Sequence, residues 1–290
     1  MPKFSSHFEN LSLKFPKTFS RKLLMCPNCQ KPTPTIKRGR YQRPSDKKLI
    51  QRFECKICLK SFSSQTSSFD YRLRKRRLNQ RVFLMLAKGM SQRGCAHVLG
   101  VDPKTISRRV WRFGKCSKEY LRKLQKSKLK VDSITFDEME TFEHTKLKPL
   151  TIPLAVETKT RKVLALDVGK IAAKGHLASL SRAKYGYRKC ERRRVLESLF
   201  NQLKEIATPE CVFLSDESQH YPRPVKRFFR NSVHKQYKGR KPAVVGQGEM
   251  KKGGFDPLFS LNQTAAMFRD NIKRLSRRTW CTTKRIDRLL

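Results

Sequence analysis

"VDSITFDEMETF", residues 131–142, decides the fold. Its β-branched and aromatic residues read as a strand, and they run into a carboxylate, Asp137. Two more short apolar strands follow, "LTIPLAV" (150–156) and "KVLALDVG" (162–169). "RRVLESLFNQLKEIA" (193–207) places Val195, Leu196, Leu199, Leu203 and Ile206 at helical period. "CVFLSDESQHY" begins with a strand over 211–215 that ends at Asp216. Residues 232–236 suit another short strand, and "NQTAAMFRDNIKRLSRR" opens a final helix near Asn262.

Three strands, a helix, a strand and a closing helix is the order of a ribonuclease H-like α/β domain, expected here over 131–290. In that order the adjacent ends of the first and fourth strands bring Asp137 and Asp216 together across 79 residues of chain. Paired carboxylates bind two Mg²⁺ (or Mn²⁺) ions, which activate water or a 3′-hydroxyl and stabilise the leaving oxygen of an in-line phosphoryl transfer. The plainer alternative makes Asp216 a turn residue and Asp137 a solubilising strand end. A third ligand is wanted on the closing helix, and Asn262, 46 residues after Asp216, has the place for it. An amide offers a neutral oxygen to a metal but cancels no charge. Arg269, seven residues later, shares its helix face and can hold a phosphate. Glu249, Asp256 and Asp270 are the other candidates, Asp270 being rotated off that face by about 80°. Glu138 points to the opposite side of its strand. His144, His220 and Tyr221 lie near the two acids in sequence and read as surface or loop residues, with contact to the scissile phosphate as the alternative for each. Phe228, Phe229 and Tyr237, interleaved with Arg223, Lys226, Arg227, Arg230, Lys235 and Lys238, fit either nucleic-acid contact or an ordinary core with a solvated face.

Upstream, residues 69–116 read as a helix-turn-helix. Val82, Leu84, Met85 and Leu86 make a first apolar helix ending near Lys88-Gly89. Ser91 caps a second, with Cys95, Val98 and Leu99 inward. After the turn "LGVD", Asp102 caps a third helix with Pro103 at its first position. Ile106 and Val110 face inward, leaving Lys104, Thr105, Arg108, Arg109 and Arg112 outward as DNA contacts. The alternative is a helical hairpin with a solvated charged face. Residues 117–130 form a basic linker helix.

Residues 23–68 carry Cys26-x-x-Cys29 in "LMCPNCQ" and Cys55-x-x-Cys58 in "RFECKICLKSF", 25 residues apart. Two tight turns that each aim two sulfurs at one point make a tetrahedral structural zinc site. "TIKRGRYQR" (35–43) reads as the turn between two strands of a zinc ribbon, whose folding energy the zinc supplies.

Lys+Arg number 67 against 23 Asp+Glu, a net charge of +44 spread along the whole chain. A polyanionic partner, DNA or RNA, offsets that self-repulsion. No apolar run is long enough to span a membrane. The basic, Ser-rich residues 1–22 read as a frayed arm. Nine cysteines, five of them scattered singly, do not form a disulfide framework and suit a reducing, cytoplasmic setting.

The sequence resembles small bacterial insertion-sequence transposases of the DDE type, which carry a zinc ribbon, a helix-turn-helix and a ribonuclease H-like domain in that order. "RFECKICLKSFSSQTSS" is similar to their second zinc half, "FDEM" (136–139) to their first catalytic motif and "LSDES" (214–218) to their second. "LNQTAAMFRDNIKRLSRRTWCTTKR" (261–285) resembles their last helix, where an acid precedes a Lys or Arg by seven residues. Here Asn262 stands in the acid's place and Arg269 in that of the base; some lineages of this kind use Asn. The resemblance implies a transposase that binds terminal inverted repeats, cleaves at the 3′ ends and joins them to target DNA, acting as at least a dimer. Family chains run on through another helix where this one stops at "RIDRLL", which suits a truncated, decayed copy. The rival from another class is a non-catalytic DNA-binding regulator.

Overall fold

The computed structural model describes residues 24–126, 130–239, 250–251, 254–277, 279, 281 and 285–289. The arm over 1–22, part of the linker stretch (127–129) and Glu249 lie outside the described residues. The chain divides into two compact units, residues 1–78 and 79–290.

In the first unit, β1 (Leu24–Cys26) and β2 (Lys31–Thr33) form an antiparallel hairpin. β3 (Thr35–Gln42), β4 (Leu49–Cys55) and β5 (Ser61–Ser63) form a three-stranded antiparallel sheet. The turn expected within 35–43 is therefore displaced: 35–42 is one strand, and the chain reverses over 43–48. Gly39 gives those residues their turn-like look. It takes φ +64°, and the register slips between Lys37↔Phe53 and Arg40↔Gln51, so two residues oppose one in a bulge. Among the described residues of this unit, Ile50 is the only buried large apolar side chain. Burial alone cannot hold so small a piece together.

The division falls after the first residue of α1 (Leu78–Ala87), and α2 (Gln92–Val98) and α3 (Pro103–Gln125) follow in the second unit. Ser91 Oγ accepts from the Gly94 N–H (3.0 Å), and Asp102 Oδ1 from the Lys104 N–H (2.7 Å). Val82, Cys95, Ala96 and Ile106 are buried, whereas Val98, expected inward, is exposed. α3 does not stop at residue 116 but runs unbroken for 23 residues.

Next come β6 (Val131–Phe142), β7 (Pro149–Glu157), β8 (Val163–Leu166), β9 (Gly169–Lys170), α4 (Leu177–Tyr185), α5 (Arg192–Lys204), β10 (Ala207–Asp216), α6 (Pro222–Phe228), β11 (Val233–Tyr237), the short hairpin β12 (Met250–Lys251) and β13 (Gly254–Phe255), and α7 (Phe259–Asn271). Six strands make one mixed sheet, ordered β11-β10-β6-β7-β8 with β9 on β7. β6, β7 and β8 are antiparallel neighbours; β10 runs parallel to β6, and β11 parallel to β10. Gln125, buried at the end of α3, donates to the Leu164 carbonyl (2.9 Å) and to Gln202 of α5 (3.2 Å), which ties α3 to this body.

The two-residue period of the strands sorts side chains between the sheet's faces. Ile134, Phe136 and Phe213 pack with Leu196, Leu199, Phe200 and Leu203 of α5 on one face. Met139, Leu150, Ile152, Leu154 and Val156 lie on the other under Leu261, Ala265 and Phe268 of α7. Phe229 is buried in the first cluster and Phe228 packs against it, so both are core residues and the nucleic-acid alternative for them falls away. No described helix is long and apolar enough to cross a membrane.

Candidate functional site

Cys26 ends β1 and Cys55 ends β4; Cys29 and Cys58 sit in the turns that follow. The Sγ atoms of Cys26 and Cys58 are 3.7 Å apart, those of Cys29 and Cys55 3.9 Å, and all four lie within 4.8 Å of one another. A zinc ion with four Zn–S bonds of about 2.3 Å sets its sulfurs about 3.8 Å apart. The cluster therefore fits a structural zinc. The four thiols are not alike: the Thr33 hydroxyl, with the backbone N–H groups of Cys58 and Ile57, holds the Cys55 thiol down to about 6, whereas hydrogen bonding to Cys58 and burial push the Cys29 thiol up to about 12.

On α3 the structure separates five residues that were expected together. Lys104 and Arg108 are exposed, and Thr105 and Arg112 are half-buried. Arg109 is a correction: it is buried, donating from Nε to Asn79 Oδ1 (3.0 Å) and from Nη1 to the Thr105 carbonyl (3.1 Å). Burial pushes its pKa below the usual guanidinium range, helped by the charge of Arg112. The reason is positional. Residue 109 follows Ile106 by three and so shares its inward face.

In the sheet, β10 lies parallel to β6 with Leu214 opposite Thr135. Two residues further along the same register, Asp216 comes level with Asp137, on one face of two adjacent strands. Leu154 lies across from Asp137 on β7, beneath Leu261, so this is the face that α7 covers. Burial pushes the Asp137 carboxyl up to about 6, and the charge of Asp216 adds to the shift. The Glu138 N–H (2.6 Å) and the Tyr221 hydroxyl (2.9 Å) both donate to Asp137 Oδ1 and oppose it.

Asp216 is fixed through its backbone. Its carbonyl accepts from the Ser215 hydroxyl (2.8 Å) and from Gln236 Nε2 (2.9 Å), and its Oδ1 from the Ser218 N–H (3.2 Å). Ser215 in turn meets His234 Nε2 at 2.9 Å. Arg269, on α7, loses proton affinity through burial, while Asp137 is near enough for its charge to act the other way. Asn262 donates from Nδ2 to Asp256 Oδ2 (2.8 Å) and makes no hydrogen bond to either strand carboxylate. Asp256 is buried and also accepts from the Leu258 N–H (3.1 Å). Glu138 faces away, paired with Arg192 (2.9 Å) and accepting from Thr151 (2.8 Å).

His144 and His220 are exposed. Tyr221 is a second correction: expected at the surface, it is buried against Phe136, with ring centroids 5.0 Å apart, and its hydroxyl reaches Asp137. His234 and Gln236, which brace the Asp216 end of β10, had no signal in the sequence beyond a short strand. Among the described residues, the four cysteines form the only group of three or more metal-ligating His, Cys, Asp or Glu side chains. Asp137 and Asp216 supply two hard oxygen donors, not three.

The chain matches no protein-family model. Nor is any curated protein significantly similar to it.

Proposed function

We propose that this chain is a DNA transposase: a ribonuclease H-like polynucleotidyl transferase delivered to DNA by a zinc ribbon and a helix-turn-helix. One observation carries the reading: Asp137 and Asp216 lie on adjacent parallel strands, and burial with the charge of Asp216 pushes the Asp137 carboxyl up to about 6. A buried carboxyl whose pKa is pushed up beside a second carboxylate forms a place that a divalent cation relieves. Their oxygen donors suit Mg²⁺ or Mn²⁺ rather than a softer metal.

Asp137 and Asp216 would hold the metal, with the Asn262 carbonyl oxygen as the third donor. When bound, the metal supplies a polarised nucleophile and charge stabilisation at the leaving oxygen. The chain's own residues do the rest. Tyr221 holds Asp137 by donating its hydroxyl to Oδ1. The Asn262 amide nitrogen donates to an Asp256 carboxyl oxygen, so the amide oxygen is turned away from Asp256. Arg269, on the helix across from Asp137, draws the scissile phosphate. Lys104 and Arg108, flanked by Thr105 and Arg112, present α3 to the major groove of the terminal repeats. Work on two element ends calls for at least a dimer.

A strand-cleavage and strand-transfer assay with Mg²⁺ or Mn²⁺ tests this. Asp137→Asn and Asp216→Asn should each abolish cleavage and joining while duplex binding persists. One observation favours the second reading, a DNA-binding regulator or decayed copy: the third donor is an amide whose acid neighbour is buried behind it. A wild-type protein that binds duplex DNA but never cuts it would establish that reading instead.

A further inference from the structure

We propose that the first unit holds one unpaired nucleotide in a cavity beside its thiol cluster. The cavity has a volume of about 590 Å³, within the roughly 300–1,000 Å³ range of small-ligand sites. Of the four cysteines only Cys26 touches it, so it lies next to the zinc position and is not that position. Its walls combine three cations, Arg38, Arg52 and Lys60, with three aromatics, Tyr41, Phe62 and Tyr71, and no carboxylate lines it.

The cations differ in what they have left to give. Arg38 is committed to Glu54 by two hydrogen bonds (2.9 and 3.2 Å). Arg52 and Lys60 make no ion pair among the described residues. Lys60 spends one of its three donors on Asn28 Oδ1 (2.8 Å), which sets the ammonium at the rim by the first cysteine turn. Arg52 lies over the Tyr41 ring, 5.5 Å from its centroid, so charge and aromatic face are presented together. Phe62 is steadied from behind by Phe53, with centroids 5.8 Å apart.

An apolar ligand would strip water from Arg52 and Lys60 without replacing it. A lone phosphate would use the cations and leave the aromatic walls idle. A nucleotide uses both, its base against a Tyr or Phe face and its phosphate between Arg52 and Lys60. Only an unpaired base qualifies, because a base in a duplex has both faces stacked. The class of ligand rests on the nucleic-acid part of the proposed function; it does not require the Asp137–Asp216 pair to be catalytic.

The experiment uses the full-length, zinc-loaded protein and two DNA duplexes, one blunt and one with a short single-stranded overhang bearing 2-aminopurine. The overhang should tighten binding about tenfold, with a change in probe fluorescence on binding. Tyr41→Ala with Arg52→Ala should abolish that gain and the fluorescence change, leaving blunt-duplex affinity and zinc content as in wild type. Tyr41→Phe, which keeps the aromatic face, should retain the gain. Equal affinity for the two duplexes would overturn the proposal. So would a double variant that weakens both duplexes equally, since Arg52 would then be a general phosphate contact. Asp137→Asn separates the two readings: it should leave the overhang gain untouched, whether or not the wild type cleaves.

Discussion

Asp137 and Glu138 are chain neighbours with opposite fates, because a strand turns successive side chains to opposite faces. Glu138 is neutralised by Arg192 beneath α5. Asp137 meets another carboxylate, and its charge also acts on Arg269 of α7. Its raised pKa has a sign that can be measured. Between about 4 and 6 the folded protein keeps a proton that the unfolded chain has released, so stability falls as pH rises through that window. Above it the ionised Asp137 costs at most roughly 3 kcal/mol, at 1.36 kcal/mol per unit. Asp137→Asn, in zinc-loaded protein without added magnesium, should therefore be more stable than wild type at pH 8. The gain should vanish towards pH 4 in denaturant titrations; a loss of stability at pH 8 would contradict this origin of the shift. Glu138→Ala should do the reverse, destabilising by about 1–3 kcal/mol because it leaves the half-buried Arg192 guanidinium with Glu140 as its remaining ion-pair partner. That Glu138 faces away follows from strand parity and was legible in the sequence. Tyr221 was not: its partner lies 84 residues away, and only the folded path of β10 and the following loop joins them. The Asn262–Asp256 bond was equally hidden, since nothing in "FDPLFSLN" says that the two side chains meet.

At the scale of elements, local chemistry was the readable part. The capping geometry of Ser91 and Asp102 is what short polar side chains at helix starts produce, and Asp102→Ala should cost about 1 kcal/mol in thermal unfolding. Arg109 shows the limit of reading a helix by residue type, because a basic residue was assigned outward although its spacing from Ile106 put it inside. Arg109→Ala should destabilise the protein by about 1–3 kcal/mol. Lys104→Ala and Arg108→Ala should leave stability within about 0.5 kcal/mol and weaken DNA binding instead. The β3 bulge misled in another way. A glycine among basic residues suggests a hairpin end, yet Gly39 bends a strand that continues to Gln42. A tighter constraint lies at β9. A methyl group on Gly169 would sit 2.6 Å from Val195 Cγ1 of α5, so Gly169→Ala should destabilise by about 1–3 kcal/mol through overpacking.

For the whole molecule, a net charge of +44 should make DNA affinity fall steeply and log-linearly with salt, each phosphate contact removed lowering the slope by about 1. Fluorescence anisotropy across a salt series reads that slope, and a flat response would remove charge as the basis of binding. Composition alone carries this expectation. What composition cannot give is the convergence of residues 79 positions apart, which depends on β10 lying parallel beside β6. The most direct measurement is anomalous diffraction at the manganese edge from crystals grown with zinc-loaded protein, Mn²⁺ and DNA. The account expects a peak bridging the carboxylates of Asp137 and Asp216, on the face covered by α7. Crystals with those two side chains in place and no peak between them would contradict it.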